Sequence, residues 1–266
     1  MSRIGPLPVR TRVFRGETLD SYARRHASKN RTTVRDIETD LKANGLLPSS
    51  TNRRHPRRLA AWRALGDLSP TAFSEPETVL EFPVAIRRLC AHCTRGEQAY
   101  GRRPDQGMVC RNHQQWLGET QIKFAISSTQ VVAEKRFVKN LATKNVLFDA
   151  PVMQIARSAA FAAIPESTIA ERAASHGISD HQALLYPEQV GIACVLCEPD
   201  IMESATDPSR QVSTRRGFVE SALAPVFDGI PNARLWAAIL AIQPALDRTI
   251  KYRRQPPSSV RVALHR

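Results

Sequence analysis

Cys90-Ala91-His92-Cys93, then sixteen residues, then Cys110-Arg111-Asn112-His113 is the stretch on which the reading of this chain turns. Each segment sets two metal-ligand residues three apart, and two such knuckles make the donor set of a tetrahedral zinc site. A two-residue gap lets one tight turn aim both side chains at a single point. The spacer holds Arg95, Gly96, Gly101, Arg102, Arg103, Pro104 and Gly107, a composition that suits an exposed loop. A lone C-x-x-C says little, whereas two matched pairs are specific. Four protein ligands leave no position for water, so the expectation is one Zn2+ that holds the fold and does no chemistry.

Outward from the knuckles, charge divides the chain unevenly. Residues 1–118 hold 21 Lys/Arg against 11 Asp/Glu, a balance of +10, and residues 119–266 hold 17 against 14, a balance of +3. A basic region of this kind points to a polyanion, and its preference for Arg over Lys suits phosphates and guanine edges. The alternative is a basic surface kept for solubility. Five cysteines, four of them in C-x-x-C pairs, do not make a secreted disulfide framework and point to a reducing compartment. The first twelve residues hold no secretory signal. The longest apolar run, 235–242, is far short of the ~20 residues that span a membrane. A cytoplasmic protein is expected, with no membrane partner and with a homodimer compatible with the sequence.

Helical periodicity lies on both sides of the knuckles. Leu19, Tyr22, Ala23 and His26 recur at helical spacing over 18–29. Thr32 or Thr33 caps a second helix with Val34, Ile37 and Leu41 on one face and Gly45 as its stop. The short connection is that of a helix-turn-helix pair. A polar linker over 48–54 leads to a third helix near Pro56, with Leu59, Trp62 and Leu65 inward and Arg57, Arg58 and Arg63 outward. Ser69-Pro70 opens a short fourth helix, and 79–86 reads as a strand. Helices are expected over 129–145, 151–163, 165–175 and 179–186, then from Pro187 or Glu188, with loop over 204–214 and two more helices over 215–227 and 233–242. The expected fold is therefore mainly α: helix-turn-helix-like N-terminal helices (1–80), a small zinc ribbon (81–118) and a C-terminal helical domain (119–266). Cys194 and Cys197 sit among Val190, Ile192, Val195 and Leu196 and read as core packing rather than as ligands.

Two ordered sets of residues resemble the TniQ-domain family. The opening Leu7-Pro8-Val9-Arg10 and Gly16-Glu17-Thr18-Leu19-Asp20-Ser21-Tyr22 look like the start of such proteins. Arg88-Leu89-Cys90-x-x-Cys93, then Val109-Cys110-x-x-His113 and Leu117, look like their zinc segment. The spacer lacks the aromatic that often precedes the second knuckle, although Tyr100 lies within it. The resemblance covers about residues 5–118 and carries no functional residue beyond them. It implies an accessory factor of transposition that selects a target by binding DNA or by docking on other targeting proteins, without cutting DNA. It implies Cys90, Cys93, Cys110 and His113 as the zinc ligands.

The functional expectation is thus a non-catalytic, zinc-containing DNA-binding or targeting adaptor in transposition. The expected phosphate contacts are Arg53, Arg54, Arg57 and Arg58, with Arg24, Arg25, Arg31 and Arg35 from the first two helices. A zinc-dependent transcriptional regulator is the alternative. A His-Asn-His nuclease is disfavoured because His113 completes the zinc knuckle and is not also a general base. No Gly-rich phosphate loop or Ser/His/Asp pattern is present.

Overall fold

The computed structural model describes residues 4–53, 55–73, 84–228 and 232–254. Helix takes 56% of the described residues, and each sheet among them has two strands of two residues, so the protein is mainly α. The chain divides into two compact units, one of residues 1–104 and 117–121 and the other of residues 105–116 and 122–266. The division falls inside the segment expected as a separate ribbon. No described helix is long and apolar enough to cross a membrane.

The first unit contains α1 (Leu19–Lys29), α2 (Val34–Ala43), α3 (Pro56–Gly66) and the antiparallel pair β1 (Arg87–Arg88) and β2 (Tyr100–Gly101). Thr18 starts α1 because its backbone is extended and its hydroxyl accepts the Ser21 N–H. Thr33 does the same for Asp36 in α2, and Gly45, at φ +69°, follows that helix in the left-handed region. Pro56 occupies the first turn of α3, where its missing N–H costs nothing. The core is small: Ala23, Ala27, Ile37, Leu41, Leu47, Ala61, Trp62 and Leu65.

Buried arginines complete it. Arg58 donates from Nε to Glu38 at 2.7 Å and from Nη1 to Asp20 at 2.8 Å, while the Trp62 indole N–H reaches the same Glu38 oxygen at 3.0 Å. One guanidinium thereby joins all three helices. Arg25 donates to both oxygens of Glu17 at 2.8 Å and pairs also with Glu97. Glu17 further accepts the Ser21 hydroxyl at 2.9 Å and the Phe14 N–H at 3.1 Å. His26 is fully buried, with Nδ1 at 3.0 Å from the Thr11 hydroxyl and Nε2 at 3.2 Å from the Leu65 carbonyl. A carbonyl only accepts, so Nε2 carries the proton and Thr11 donates to Nδ1. Both ring nitrogens are therefore satisfied inside the core.

Among the described residues, the second unit contains β3 (Val109–Cys110) paired with β4 (Gln115–Trp116) and seven helices. These are α4 (Thr129–Asn140), α5 (Pro151–Ala163), α6 (Glu166–His176), α7 (His181–Leu196), α8 (Pro199–Thr206), α9 (Val212–Leu223) and α10 (Asn232–Arg254). Helix α5 packs against α7 and α10, and α4 packs against α7. Ala156, Ala159, Ala160 and Ala163 are fully buried on α5, so its backbone lies close to its neighbours. Met108, Val109 and Trp116 belong to the same apolar core as Phe137, Met153, Leu184, Leu223 and Ile239.

Several expected boundaries move. Pro187 does not start a helix but sits inside α7. Its ring removes one N–H from the ladder, and Arg172 of α6 donates to the nearby Leu184 carbonyl at 3.1 Å while pairing with Glu188 at 2.7 Å. The expected loop at 204–214 holds the end of α8 and the start of α9, and α10 runs on through Pro244 to Arg254. The segment after Ser69 is a turn as far as Phe73, and among the described residues that follow, strand begins at Arg87. Most of the expected strand at 79–86 lies outside the described residues.

Candidate metal centre

The first knuckle is a tight backbone turn. The Thr94 N–H reaches the Cys90 carbonyl at 3.0 Å and the Gly96 N–H reaches the Ala91 carbonyl at 2.7 Å. Arg95 and Gly96 take positive φ of 54° and 83°, which turns the chain back on itself. The Gln121 amide fixes the entry to this turn. Its Oε1 accepts the Ala91 N–H and its Nε2 donates to the Leu89 carbonyl, each at 2.8 Å, so one side chain grips the backbone on both sides of Cys90.

The second knuckle turns over Cys110–Gln114, where the Gln114 N–H reaches the Cys110 carbonyl at 2.7 Å and Gln114 takes φ +52°. It rests on aromatic packing: Trp116 is fully buried, edge-on to Tyr186 and Phe124, and donates its indole N–H to Asp180 at 2.7 Å. Asp180 also caps α7 by accepting the Gln182 and Ala183 N–H groups.

The ligand atoms of Cys90, Cys93, Cys110 and His113 all lie within 4.8 Å of one another. Cys90 and Cys110 are buried, His113 is half-buried and Cys93 is exposed. The donor set fits a metal. A tetrahedral ion with bonds of about 2.3 Å to sulfur and 2.05 Å to nitrogen sets S and N roughly 3.55 Å apart, and Cys110 Sγ stands 3.6 Å from His113 Nδ1. Three thiolates and an imidazole are donors that zinc accepts. Among the described residues no other cluster of three or more such groups forms. Cys194 and Cys197 instead pack against the apolar core of the second unit, and burial raises both thiol pKa values. Their place is in keeping with the packing role expected for them.

The arginines expected on DNA separate into two kinds. Arg25 and Arg58 are buried, with side-chain exposures of 8% and 6%, and are engaged by carboxylates. That corrects their expected place among the phosphate contacts, because an interior guanidinium bound to two acidic groups has no face left for a ligand. Arg24, Arg31, Arg35, Arg53 and Arg57 are exposed. Arg54 lies outside the described residues. Arg24 follows Asp20 by one helical turn, Arg35 precedes Glu38 by one turn, and the Arg53 carbonyl accepts from Arg58 at 3.1 Å. Arg24, Arg35 and Arg53 therefore belong to the stretches of chain that Arg58 joins. Helix α2 also exposes Asp36 and Asp40, which disfavours its insertion into a DNA groove as a recognition helix.

Sequence reasoning did not find Gln121, Glu17 or Glu134 as supports of the site region. Glu17 stands in the quoted Gly16–Tyr22 stretch, yet nothing local names Arg25 and Glu97 as its partners. Compared with known families, with curated proteins and with solved structures, the chain has no match in any of the three.

Proposed function

We propose that this protein is a non-catalytic, zinc-containing adaptor of the TniQ kind that binds duplex DNA through its phosphates and serves target choice in transposition. The observation that carries the DNA reading is the sorting of the arginines: Arg25 and Arg58 build the interior, and Arg24, Arg31, Arg35, Arg53 and Arg57 are left exposed. Phosphate contacts of this sort position a protein without reading sequence. The exposed acids of α2 favour that mode over groove reading. Zinc on Cys90, Cys93, Cys110 and His113 is structural in this proposal, since the four donors complete its coordination. His113 Nδ1 is turned toward Cys110 Sγ, which supports its place as a metal ligand rather than as the general base of a nuclease.

The test is a titration of a random-sequence duplex at two salt concentrations. Neutralising five phosphates gives a slope of about −4.5 in log affinity against log salt, or a weakening of roughly 500-fold between 50 and 200 mM. Changing Arg35 and Arg57 together to Ala flattens the slope by up to about two units. Absence of binding at tens of micromolar protein in 50 mM salt ends the direct-DNA reading, and the basic face is then assigned to a protein or ribonucleoprotein partner.

A further inference from the structure

We infer that Glu134, acting with Tyr186, is a positioning residue for the second metal knuckle, an inference that rests on the metal reading above. Glu134 lies on α4 and is 1% exposed. One carboxylate oxygen accepts the Gly107 N–H at 2.9 Å; the other accepts the Val109 N–H at 3.0 Å and the Tyr186 hydroxyl at 2.6 Å. The Tyr186 oxygen also lies 3.4 Å from the Met108 N–H. Three consecutive backbone donors are thus held by two side chains, and the next residue after them is the ligand Cys110.

The fit leaves no slack. A Cβ added at Gly107 would stand 2.1 Å from the Tyr186 hydroxyl and 2.6 Å from a Glu134 oxygen. Only glycine allows the backbone to approach the carboxylate this closely. Tyr186 is itself clamped edge-on against Trp116, which closes the knuckle on its other side. The segment before Cys110 and the strand after the turn, at Trp116, are therefore packed against one buried group of side chains. Without Glu134, the segment from Gly107 to Val109 has to be ordered when the metal binds, and the entropy lost in that ordering subtracts from affinity. Supporting groups outside the ligand set act this way at metal sites, where their loss costs about 10- to 100-fold in affinity.

The test uses the full chain, zinc competition against a chromophoric chelator, and the Co(II) absorption spectrum as a reporter of ligand geometry. Glu134→Gln keeps the shape but turns one acceptor into a donor facing backbone N–H groups. Its zinc affinity is expected to fall about 10- to 100-fold, with an altered Co(II) spectrum. Tyr186→Phe is expected to fall in the same direction by less. Glu188→Gln is the control, because that carboxylate is also buried and sits on α7 but pairs with Arg172; its zinc affinity is expected to match the wild type. Wild-type affinity in both Glu134→Gln and Tyr186→Phe overturns the inference, as does an equal loss in Glu188→Gln. Should Glu134→Gln fail to fold, Tyr186→Phe decides. A wild-type chain that holds no zinc and gives no thiolate-to-cobalt band sinks the metal reading itself, a failure distinct from that of the positioning role.

Discussion

The two units solve the same problem with different materials. The first has few large apolar side chains inside and closes its helices with guanidinium–carboxylate contacts: Arg58 with Asp20 and Glu38, and Arg25 with Glu17 and Glu97. The second buries a long series of apolar residues from α4 to α10, with small groups of polar partners such as Glu134 and Tyr186 set into it. The lesson concerns what a basic composition means. Part of the positive charge of the N-terminal half is internal cement, and only the remainder is available to a polyanion.

The contrast is sharpest in what each unit loses when one side chain is cut. Glu17 has no exposed side-chain surface and holds Arg25, Ser21 and the Phe14 N–H. Glu17→Ala leaves a buried guanidinium with one partner fewer, and a loss of about 3–5 kcal/mol is expected. Hydrogen exchange resolved by helix checks this, with the amides of α1 and α3 losing protection. If those amides keep wild-type protection, the arginine contacts are not what closes the first unit. In the second unit, Met153→Ala removes a fully buried side chain from α5. The expected loss is about 2–4 kcal/mol, from lost burial and the cavity left behind, read as reduced protection in α5 and α7. A loss below about 1 kcal/mol there would mean that this core is looser than its burial implies.

A smaller effect separates the units by pH. Burial lowers the pKa of His26 below its ordinary 6.5. As pH falls through 6.5, the unfolded chain binds a proton that folded His26 refuses, so folding loses stability from that point down to the lowered folded value. The first unit is therefore expected to weaken between pH 7 and pH 5 in urea titrations, and His26→Gln to reduce that dependence. An unchanged pH dependence in His26→Gln would remove His26 from the account.

Much of the fold was legible locally. Thr33 was readable as a cap, Pro56 as a helix start, and 151–163 as a helix, because each signal acts within one turn of chain. The knuckle ligands were legible for the same reason, through their spacing. Contacts that depend on tertiary placement were not. Arg58 reads as an outward residue on α3 until Asp20 and Glu38 are seen beside it. Pro187 reads as a break because its brace, Arg172, comes from another helix. Gln121 and Glu134 carry no pattern at all; their partners are backbone groups tens of residues away.

The position of Tyr186 in the chain has a consequence for the order of events during synthesis. The Met108 N–H and the Tyr186 hydroxyl are separated by 78 residues. At 5–20 residues per second, a ribosome takes about 4–16 s to cover that distance. Throughout that interval Cys110 already exists while the hydroxyl that braces its approach does not. The knuckle's thiol is made early and its support late, so any capture of metal in the native geometry would wait for α7 to be made and packed. A nascent chain halted before α7 would carry the full set of four ligands and still lack half of the frame that aims the third.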